Sequence, residues 1–171
     1  MDTYVPTIID IEASGFGRDS YPIEVGIAFA DGHKFCRLVK PEGDWTYWDA
    51  KAEAVHGITR KHLEKNGNSV AEVANQLNQL LQGITVYSDC WTVDKPWLDR
   101  LFRAANVRQD FQVRAIEMIL SENQLDHWNL IHSYNISQNQ ELRHRASKDA
   151  ELIQKTWRDT RSLSESKRMV S

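Results

Sequence analysis

Several features that this chain lacks exclude whole classes of protein. Its two cysteines, Cys36 and Cys90, offer neither a disulfide framework nor a closely spaced pair for a metal. No run of about 18 consecutive apolar residues occurs, so we expect no membrane-spanning helix. Segment 1–15 has acids within its apolar run and no positive charge ahead of it, which is unlike a secretory signal peptide. These absences predict a cytoplasmic protein.

Charge is distributed unevenly along the 171 residues, although the net charge is only −3. Segment 143–171 contains eight Lys or Arg and four Asp or Glu, which gives a net charge of +4. The remaining residues contain 13 basic and 20 acidic side chains, a net charge of −7. The chain therefore lacks the overall positive field that would attract nucleic acid. The basic segment is either a local binding surface or a solvated helix face.

The hydrophobic pattern predicts one α/β domain over residues 1–160, followed by a polar tail at 161–171 that is expected to fray. Strands are predicted at 4–12, 23–30, 33–40, 84–88 and 111–114. Helices are predicted as two short pieces within 49–65 and at 70–81, 94–105, 115–133 and 145–158. Asp31-Gly32 predicts a hairpin turn, and Ser69 with Glu72 predicts a capping box. This order of elements predicts a mixed sheet with helices packed on it.

Two carboxylates in the first predicted strand are the clearest candidates for chemistry. Asp10 and Glu12 are two residues apart, so in a strand their side chains point to the same face, about 6.6 Å apart along the chain. Neighbouring acids in an apolar strand repel each other and are costly to bury unless a positive group neutralises them. Carboxylate oxygens suit Mg²⁺ or Mn²⁺. The pair therefore predicts a divalent-metal site, with a solvated acid pair at a strand end as the alternative.

A histidine and an acid near the last predicted helix form a second candidate. His144 precedes this helix, and Asp149 lies in its first turns. Histidine titrates near neutral pH, so a histidine beside an acidic metal site can act as a general base. A surface histidine and an acid that favours a helix N-terminus are the alternatives.

The middle of the chain offers two further carboxylates. Asp94 opens the predicted helix 94–105, where aspartate is also a preferred N-cap and Pro96 fits the first turn. Asp89 ends the predicted strand 84–88 and stays an alternative. Asp99 falls among the polar positions of the helix and is expected to be solvated.

Taken in order, these motifs resemble those of the DEDDh group of 3′→5′ exonucleases, the DnaQ-like and RNase T-like relatives of proofreading polymerase subunits. The resemblance spans roughly residues 7–157 and rests on four segments: DIEASGF at 10–16, IEVGIA at 23–28, EAVHGIT at 53–59 and HRASKDA at 144–150. The middle motif of the family commonly reads H-N-x-x-F-D, whereas this chain has DCWTVD at 89–94. Cys90 replaces the usual Asn, so the assignment of Asp94 rests on its position before Pro96.

The resemblance implies an RNase H-like fold, with a five-stranded mixed sheet whose first three strands are antiparallel. It implies hydrolysis of phosphodiester bonds at single-stranded 3′ ends of DNA or RNA, with release of nucleoside 5′-monophosphates. In this mechanism two Mg²⁺ or Mn²⁺ ions are held by four carboxylates, which here are Asp10, Glu12, Asp94 and Asp149. His144 takes the proton from the attacking water. Homodimers are common in this family, but no segment of the sequence identifies an interface.

Residues that follow the acid pair are candidate contacts for the terminal nucleotide. They are Ala13, Ser14, Gly15 and Phe16, together with His56 of the H-G-I segment. Gly15 would allow a close backbone approach, and Phe16 would stack on the 3′-terminal base. A turn glycine, a packed aromatic ring and a histidine that braces its own loop are the structural alternatives.

Other aromatic and basic residues have two open interpretations each. Trp45 and Trp48 are either exposed aromatics at the substrate or rings that pack their own loop. Arg145 and Lys148 are either phosphate contacts or solvated charges.

Two other classes of function stay open. A catalytically silent RNase H-like module that binds nucleic acid or a polymerase would have the same fold, but all five expected catalytic side chains are present. An α/β domain whose acids are mere surface charge would not be expected to place Asp10 and Glu12 inside an apolar strand. Turnover distinguishes the enzyme from the silent module.

Overall fold

The strands of the chain form one mixed sheet. The computed structural model describes residues 4–139 and 144–168. Its strands are β1 (Ile8–Ala13), β2 (Pro22–Ala28), β3 (Lys34–Leu38), β4 (Thr85–Ser88) and β5 (Gln112–Ala115). They lie in the order β3-β2-β1-β4-β5, with β1, β2 and β3 antiparallel and with β4 and β5 parallel to β1. The predicted mixed sheet with three antiparallel strands is therefore confirmed.

Helices pack on both faces of this sheet. They are α1 (Ala50–His56), α2 (Arg60–Asn66), α3 (Val70–Leu81), α4 (Trp91–Ala105), α5 (Glu122–Ser137) and α6 (Ala146–Arg168), with a 3-10 turn at Ile116–Ile119. The two short helices predicted within 49–65 and the capping box of α3 are confirmed. The single helix predicted at 115–133 is wrong, because Leu120 has extended backbone and Ser121 begins α5 with its own capping box.

Helix α4 begins earlier than predicted. It starts at Trp91 rather than at Asp94, so Pro96 lies in its second turn. Its N-cap is Cys90, which makes no side-chain capping bond. The Asp94 carboxylate instead accepts a hydrogen bond of 2.5 Å from the Ser88 hydroxyl at the end of β4. The alternative interpretation of Asp94 as an N-cap is therefore wrong, because its side chain turns toward the sheet.

Helix α6 continues well beyond its predicted end at residue 158. It runs to Arg168. Thr160 lies beyond the predicted helix end and Ser164 lies in the segment expected to be a polar tail, and both are buried. Both hydroxyls donate to helix carbonyls four residues earlier, at 2.9 Å each, so their polar groups are satisfied inside the packed helix. Residues 169–171 of the predicted tail lie outside the described residues. Within the described ranges, every helix is too short or too polar to cross a bilayer.

Alternation along the strands gives the sheet two different faces. Ile9 and Ile11 of β1 belong to the larger apolar core, which includes side chains of α3 and α4. Ile8 faces the other way and joins a smaller cluster with Ile153 and Trp157 of α6. Asp10 and Glu12 alternate with the core residues, so they share the face of Ile8. The fold therefore directs both acids toward α6.

Candidate active site

The predicted carboxylates meet at one edge of the sheet, where the parallel strands β1 and β4 end. Asp10 and Glu12 lie on β1, Asp94 lies in the first turn of α4, and Asp149 lies in the first turn of α6. Burial raises the pKa of Asp10 well above its usual range. The negative charges of Asp94, Glu12, Asp149 and Asp89 raise the pKa of Asp10 further, in that order. All four predicted ligands are thus close electrostatic neighbours.

Asp94 is the more buried of the two central candidates, with only 2% of its surface exposed. Burial raises the pKa of Asp94 to about 7, and the charges of Asp89 and Glu12 add to this effect. Hydrogen bonds from the Ser88 hydroxyl and from the Ile11 backbone partly oppose it. Asp89 is half-buried, and its carboxylate lies 3.8 Å from Nε2 of His132. Asp94 therefore lies deeper among the carboxylates than Asp89 does.

The second predicted pair stands beside the first. One ligand atom from each of Glu12, His144 and Asp149 lies within 4.8 Å of the others. The His144 backbone N–H donates to the Asp149 carboxylate at 2.8 Å. His144 has a φ of 64°, a left-handed conformation that is uncommon outside glycine. This conformation turns the chain into α6 and brings His144 next to the carboxylates.

This donor set suits a hard divalent cation. Asp10 and Asp94 are difficult to ionise because burial and neighbouring acids disfavour their charged forms. A cation among the carboxylates would remove this penalty, and oxygen-rich sites of this kind are preferred by Mg²⁺, Mn²⁺ and Ca²⁺. The predicted acid pair is therefore part of a cluster that can hold a metal, as the strand spacing indicated.

A cavity of about 150 Å³ opens beside the carboxylates. Phe16, Val55 and Trp97 give it apolar walls, while Asp10 and Glu12 lie along one side. The Phe16 side chain is 82% exposed, and its ring centre lies 6.3 Å from that of Trp97. An aromatic ring so exposed at the mouth of a cavity offers a surface on which another flat ring can stack.

His56 lines the same cavity from the C-terminal end of α1. Its Nδ1 accepts the Ile58 backbone N–H at 3.0 Å, so the neutral ring carries its proton on Nε2. Burial lowers the pKa of His56, while the negative charges of Glu53 and Glu24 oppose that shift. Nε2 is buried and makes no hydrogen bond among the described residues. His56 thus braces the loop with one nitrogen and keeps a donor available with the other.

The segment after Glu12 lies against neighbouring loops. Buried Ser14 accepts the Tyr21 N–H at its hydroxyl, at 3.2 Å, while Ala13 and Gly15 line the cavity. A Cβ atom on Gly15 would lie only 2.8 Å from Cε1 of Tyr47. The close approach that requires glycine here is therefore made by the protein's own tyrosine.

Both loop tryptophans pack instead of facing a substrate. Trp45 is buried and stacks on Tyr21 with ring centres 5.0 Å apart. Trp48 is half-buried, and its indole N–H donates to Glu53 at 2.5 Å. The interpretation of Trp45 and Trp48 as exposed aromatics is wrong, because Trp45 packs on Tyr21 just before β2 and Trp48 binds Glu53 of α1.

Sequence reasoning missed Glu24, a fully buried residue of β2. Its carboxylate accepts hydrogen bonds from the Arg145 guanidinium and from the Ala146 backbone. Arg145 is therefore the ion-pair partner of Glu24, while 52% of its side chain stays exposed. Lys148 lies 3.4 Å from Glu151 in a surface ion pair. The available signal was an acid inside the otherwise apolar run IEVGIA.

Comparison with known proteins agrees with this geometry. Residues 7–156 match the family model of RNase T, described as exonuclease. The fold is RNase H-like and the class of protein is a nuclease. The chain belongs to the RNase T family of exonucleases, within the DnaQ-like superfamily. No curated protein matches its sequence.

Solved structures of exonuclease I are similar to this chain in fold. Exonuclease I from Methylocaldum szegediense is 16% identical over 71% of this chain and 29% of its own, with a TM-score of 0.55. A zinc-bound complex of E. coli exonuclease I with single-stranded DNA is 14% identical over 78% of this chain and 30% of its own, with a TM-score of 0.54. The chain thus spans about three tenths of the length of these proteins.

Proposed function

We propose that this chain is a metal-dependent 3′→5′ exonuclease of the DEDDh type that acts on single-stranded ends of DNA or RNA. The observation that carries the proposal is the meeting of Asp10, Glu12, Asp94, His144 and Asp149 beside a cavity with an exposed aromatic wall. Exonuclease I of E. coli, which shares the fold, has been solved with a dT13 oligonucleotide. This likeness supports a single-stranded substrate.

The four carboxylates are the proposed ligands of two Mg²⁺ or Mn²⁺ ions. When bound, such ions stabilise negative charge on the attacking and leaving oxygens of a phosphodiester. Burial disfavours ionised Asp10 and Asp94, so these side chains gain most from a nearby cation. Ligand atoms of His144, Glu12 and Asp149 lie within 4.8 Å of one another. In this position His144 can take a proton from an attacking water.

The cavity is the proposed site of the 3′-terminal nucleotide. Its base would stack on the exposed Phe16 ring, a contact worth about 1–3 kcal/mol per base. The free N–H of His56 provides a buried donor for an oxygen of the nucleotide. Cleavage of the adjacent phosphodiester would release a nucleoside 5′-monophosphate.

The test is degradation of 5′-labelled single-stranded DNA and RNA oligonucleotides with Mg²⁺ or Mn²⁺. We expect labelled products that shorten progressively from the 3′ end and that disappear with EDTA. Asp94→Asn should be inactive, whereas Asp99→Asn on the same helix should be active, because Asp99 forms an exposed ion pair with Lys95.

Other outcomes would overturn this proposal. Release of a labelled mononucleotide as the first product would indicate the opposite polarity. Intact DNA and RNA in every lane, from protein whose circular dichroism shows the native fold, would favour a catalytically silent module that binds nucleic acid or a polymerase.

A further inference from the structure

Glu24 is a buried charged residue that the proposed chemistry does not use. Its Cα atom pairs with that of Glu12 across β1 and β2, so both side chains lie on the sheet face that packs against α6. A carboxylate with no exposed surface is strongly destabilising unless donors surround it. The donors around Glu24 therefore indicate its role.

The donors closest to Glu24 belong to the residues that lead into α6. Arg145 Nε lies 3.0 Å from Oε1 and 3.1 Å from Oε2, and Arg145 Nη2 lies 2.6 Å from Oε1. The Ala146 backbone N–H donates to Oε2 at 2.8 Å. A guanidinium that binds both carboxylate oxygens fixes orientation as well as distance. Glu24 thus grips the first turn of α6 through a side chain and through the backbone.

A second contact holds the same turn against the sheet. A Cβ atom on Gly26 would lie 2.0 Å from the backbone N of Ser147 and 2.1 Å from the carbonyl C of Ala146. Gly26 is the β2 partner of Asp10. The start of α6 therefore rests directly on the strand position that faces the first carboxylate, and any larger residue would displace it.

His144 and Asp149 stand on either side of this gripped segment. Their own link, from the His144 N–H to the Asp149 carboxylate, makes residues 144–149 one closed turn. Within that turn the Ala146 backbone is hydrogen-bonded to Glu24, while the side chains of His144 and Asp149 lie near that of Glu12. Since Glu12 and Glu24 are direct cross-strand neighbours, the grip on Arg145 sets how far His144 and Asp149 stand from Glu12.

We infer that Glu24, acting through Arg145, is a positioning residue for the hydrolysis proposed above, on which this inference rests. It holds the general base and the last carboxylate in register with the strand carboxylates. It touches neither the substrate nor the reacting atoms.

A purely structural role would be to dock α6 as a whole, but other contacts already do this. Ile153 and Trp157 bury their side chains in the apolar cluster beneath the helix. Nε2 of the Gln154 amide lies within hydrogen-bond distance of three backbone carbonyls of the sheet region, at 2.9, 3.2 and 3.0 Å. Loss of the Glu24 grip should therefore free only the first turn of α6 and leave the rest of the helix in place.

Arg145→Ala is the main test. Because the arginine side chain is 52% exposed, its removal leaves a space that a guanidinium ion from solution can enter. We expect kcat on a short oligonucleotide to fall by about 10- to 100-fold, as misplaced catalytic groups cause, while KM changes by less than about threefold. Guanidinium chloride should restore part of the rate, whereas sodium chloride at the same concentration should not. Arg114→Ala, which removes an exposed arginine of β5, is the matched control and should behave like wild type.

The double variant Glu24→Gln/Arg145→Gln keeps the test open if the single variant does not fold, because it leaves no buried unpaired charge. Hydrogen exchange gives a readout that does not depend on turnover. In both variants the amides of residues 146–149 should exchange faster than in wild type, while those of residues 152–157 should not change.

The outcomes separate this inference from the proposed function. A wild-type chain without nuclease activity would contradict the proposed function. The hydrogen-exchange data would still show whether Glu24 stabilises the first turn of α6. A kcat like that of wild type in both variants would overturn the inference. So would unchanged exchange at residues 146–149, or a loss of activity carried by KM alone.

Discussion

The two halves of the candidate site are held in different ways. Asp10 and Glu12 belong to a strand with hydrogen-bonded neighbours on both sides, so the sheet itself fixes their positions. His144 and Asp149 stand at a helix start that touches the sheet through Glu24. That contact joins residues 121 positions apart in the chain. The comparison teaches that neighbouring residues of one strand can specify one half of a site, while the other half is held by a contact between residues far apart in the sequence.

Removal of a carboxylate from β1 should have the largest effect on kcat. Asp10→Ala is expected to lower kcat at least about 10³-fold, because charge stabilisation at the reacting phosphate is lost. Wild-type protein should also gain thermal stability with Mn²⁺, as any protein does when only its folded state binds the ligand. The variant should lose that gain. Wild-type turnover in Asp10→Ala would remove this residue from the site.

A smaller effect is expected when the helix half is displaced without removing a ligand. Gly26→Ala places a methyl group against the backbone of Ser147, so the start of α6 must move. We expect a loss of about 1–3 kcal/mol in the free energy of unfolding, measured with urea, together with reduced turnover. Gly43→Ala is the control, since its added methyl group meets nothing within 4 Å. Equal stability of the two variants would contradict the close approach at Gly26.

The cavity beside the two halves should tolerate change better than either. Phe16→Ala is expected to lower kcat/KM about tenfold, the loss of one base-stacking contact. The melting temperature should not change, because this ring is 82% exposed and contributes little to the core. Tyr134→Ala removes another exposed ring, on α5, and should leave both quantities unchanged. A Phe16 variant with wild-type kinetics would argue against stacking.

The smallest expected effect is a change in the pH dependence of stability, caused by Asp94 beside the strand carboxylates. The pKa of Asp94 is raised from 3.8 to about 7 by burial, so folding favours its protonated form. Stability from that protonation is fully present below about pH 4 and is lost as the pH rises through 7. In EDTA the melting temperature should therefore fall between about pH 4 and 7. Asp94→Asn should reduce this fall in melting temperature by about 3 °C, and an unchanged fall would contradict the raised pKa.

Local pattern was sufficient for much of the fold. The β-branched runs and the turn sequence Asp31-Gly32 predicted the antiparallel strands, and the spacing of Asp10 and Glu12 predicted that they share a face. Ser69 with Glu72 predicted the start of α3. Each of these features is decided by residues that are neighbours in the chain or alternate along it, which is why the sequence shows them.

The features that the sequence pattern did not predict depend on how the elements of the fold pack together. Asp94 was interpreted as a possible helix cap from its local sequence. Its partner in the structure is the Ser88 hydroxyl, and that contact depends on how β4 leads into α4. The segment from Arg161 looked like a polar tail because its residues are polar, whereas Ser164 is buried and its hydroxyl donates to the Thr160 carbonyl. Arg145 looked solvated because Glu24 lies far away in the sequence. In each case a polar residue is paired by the fold, which polarity alone cannot reveal.

Strand β2 is buried along its whole length, and this has a consequence for mutational tolerance. Ile23, Val25 and Ile27 fill the larger core, while Glu24 and Gly26 hold α6. No position from Ile23 to Ile27 is therefore available for neutral drift. In a scan of all single substitutions, β2 should accept replacements as poorly as β1, although of these two strands only β1 carries proposed ligands. A strand that takes no part in the chemistry would then carry as much constraint as the strand that does.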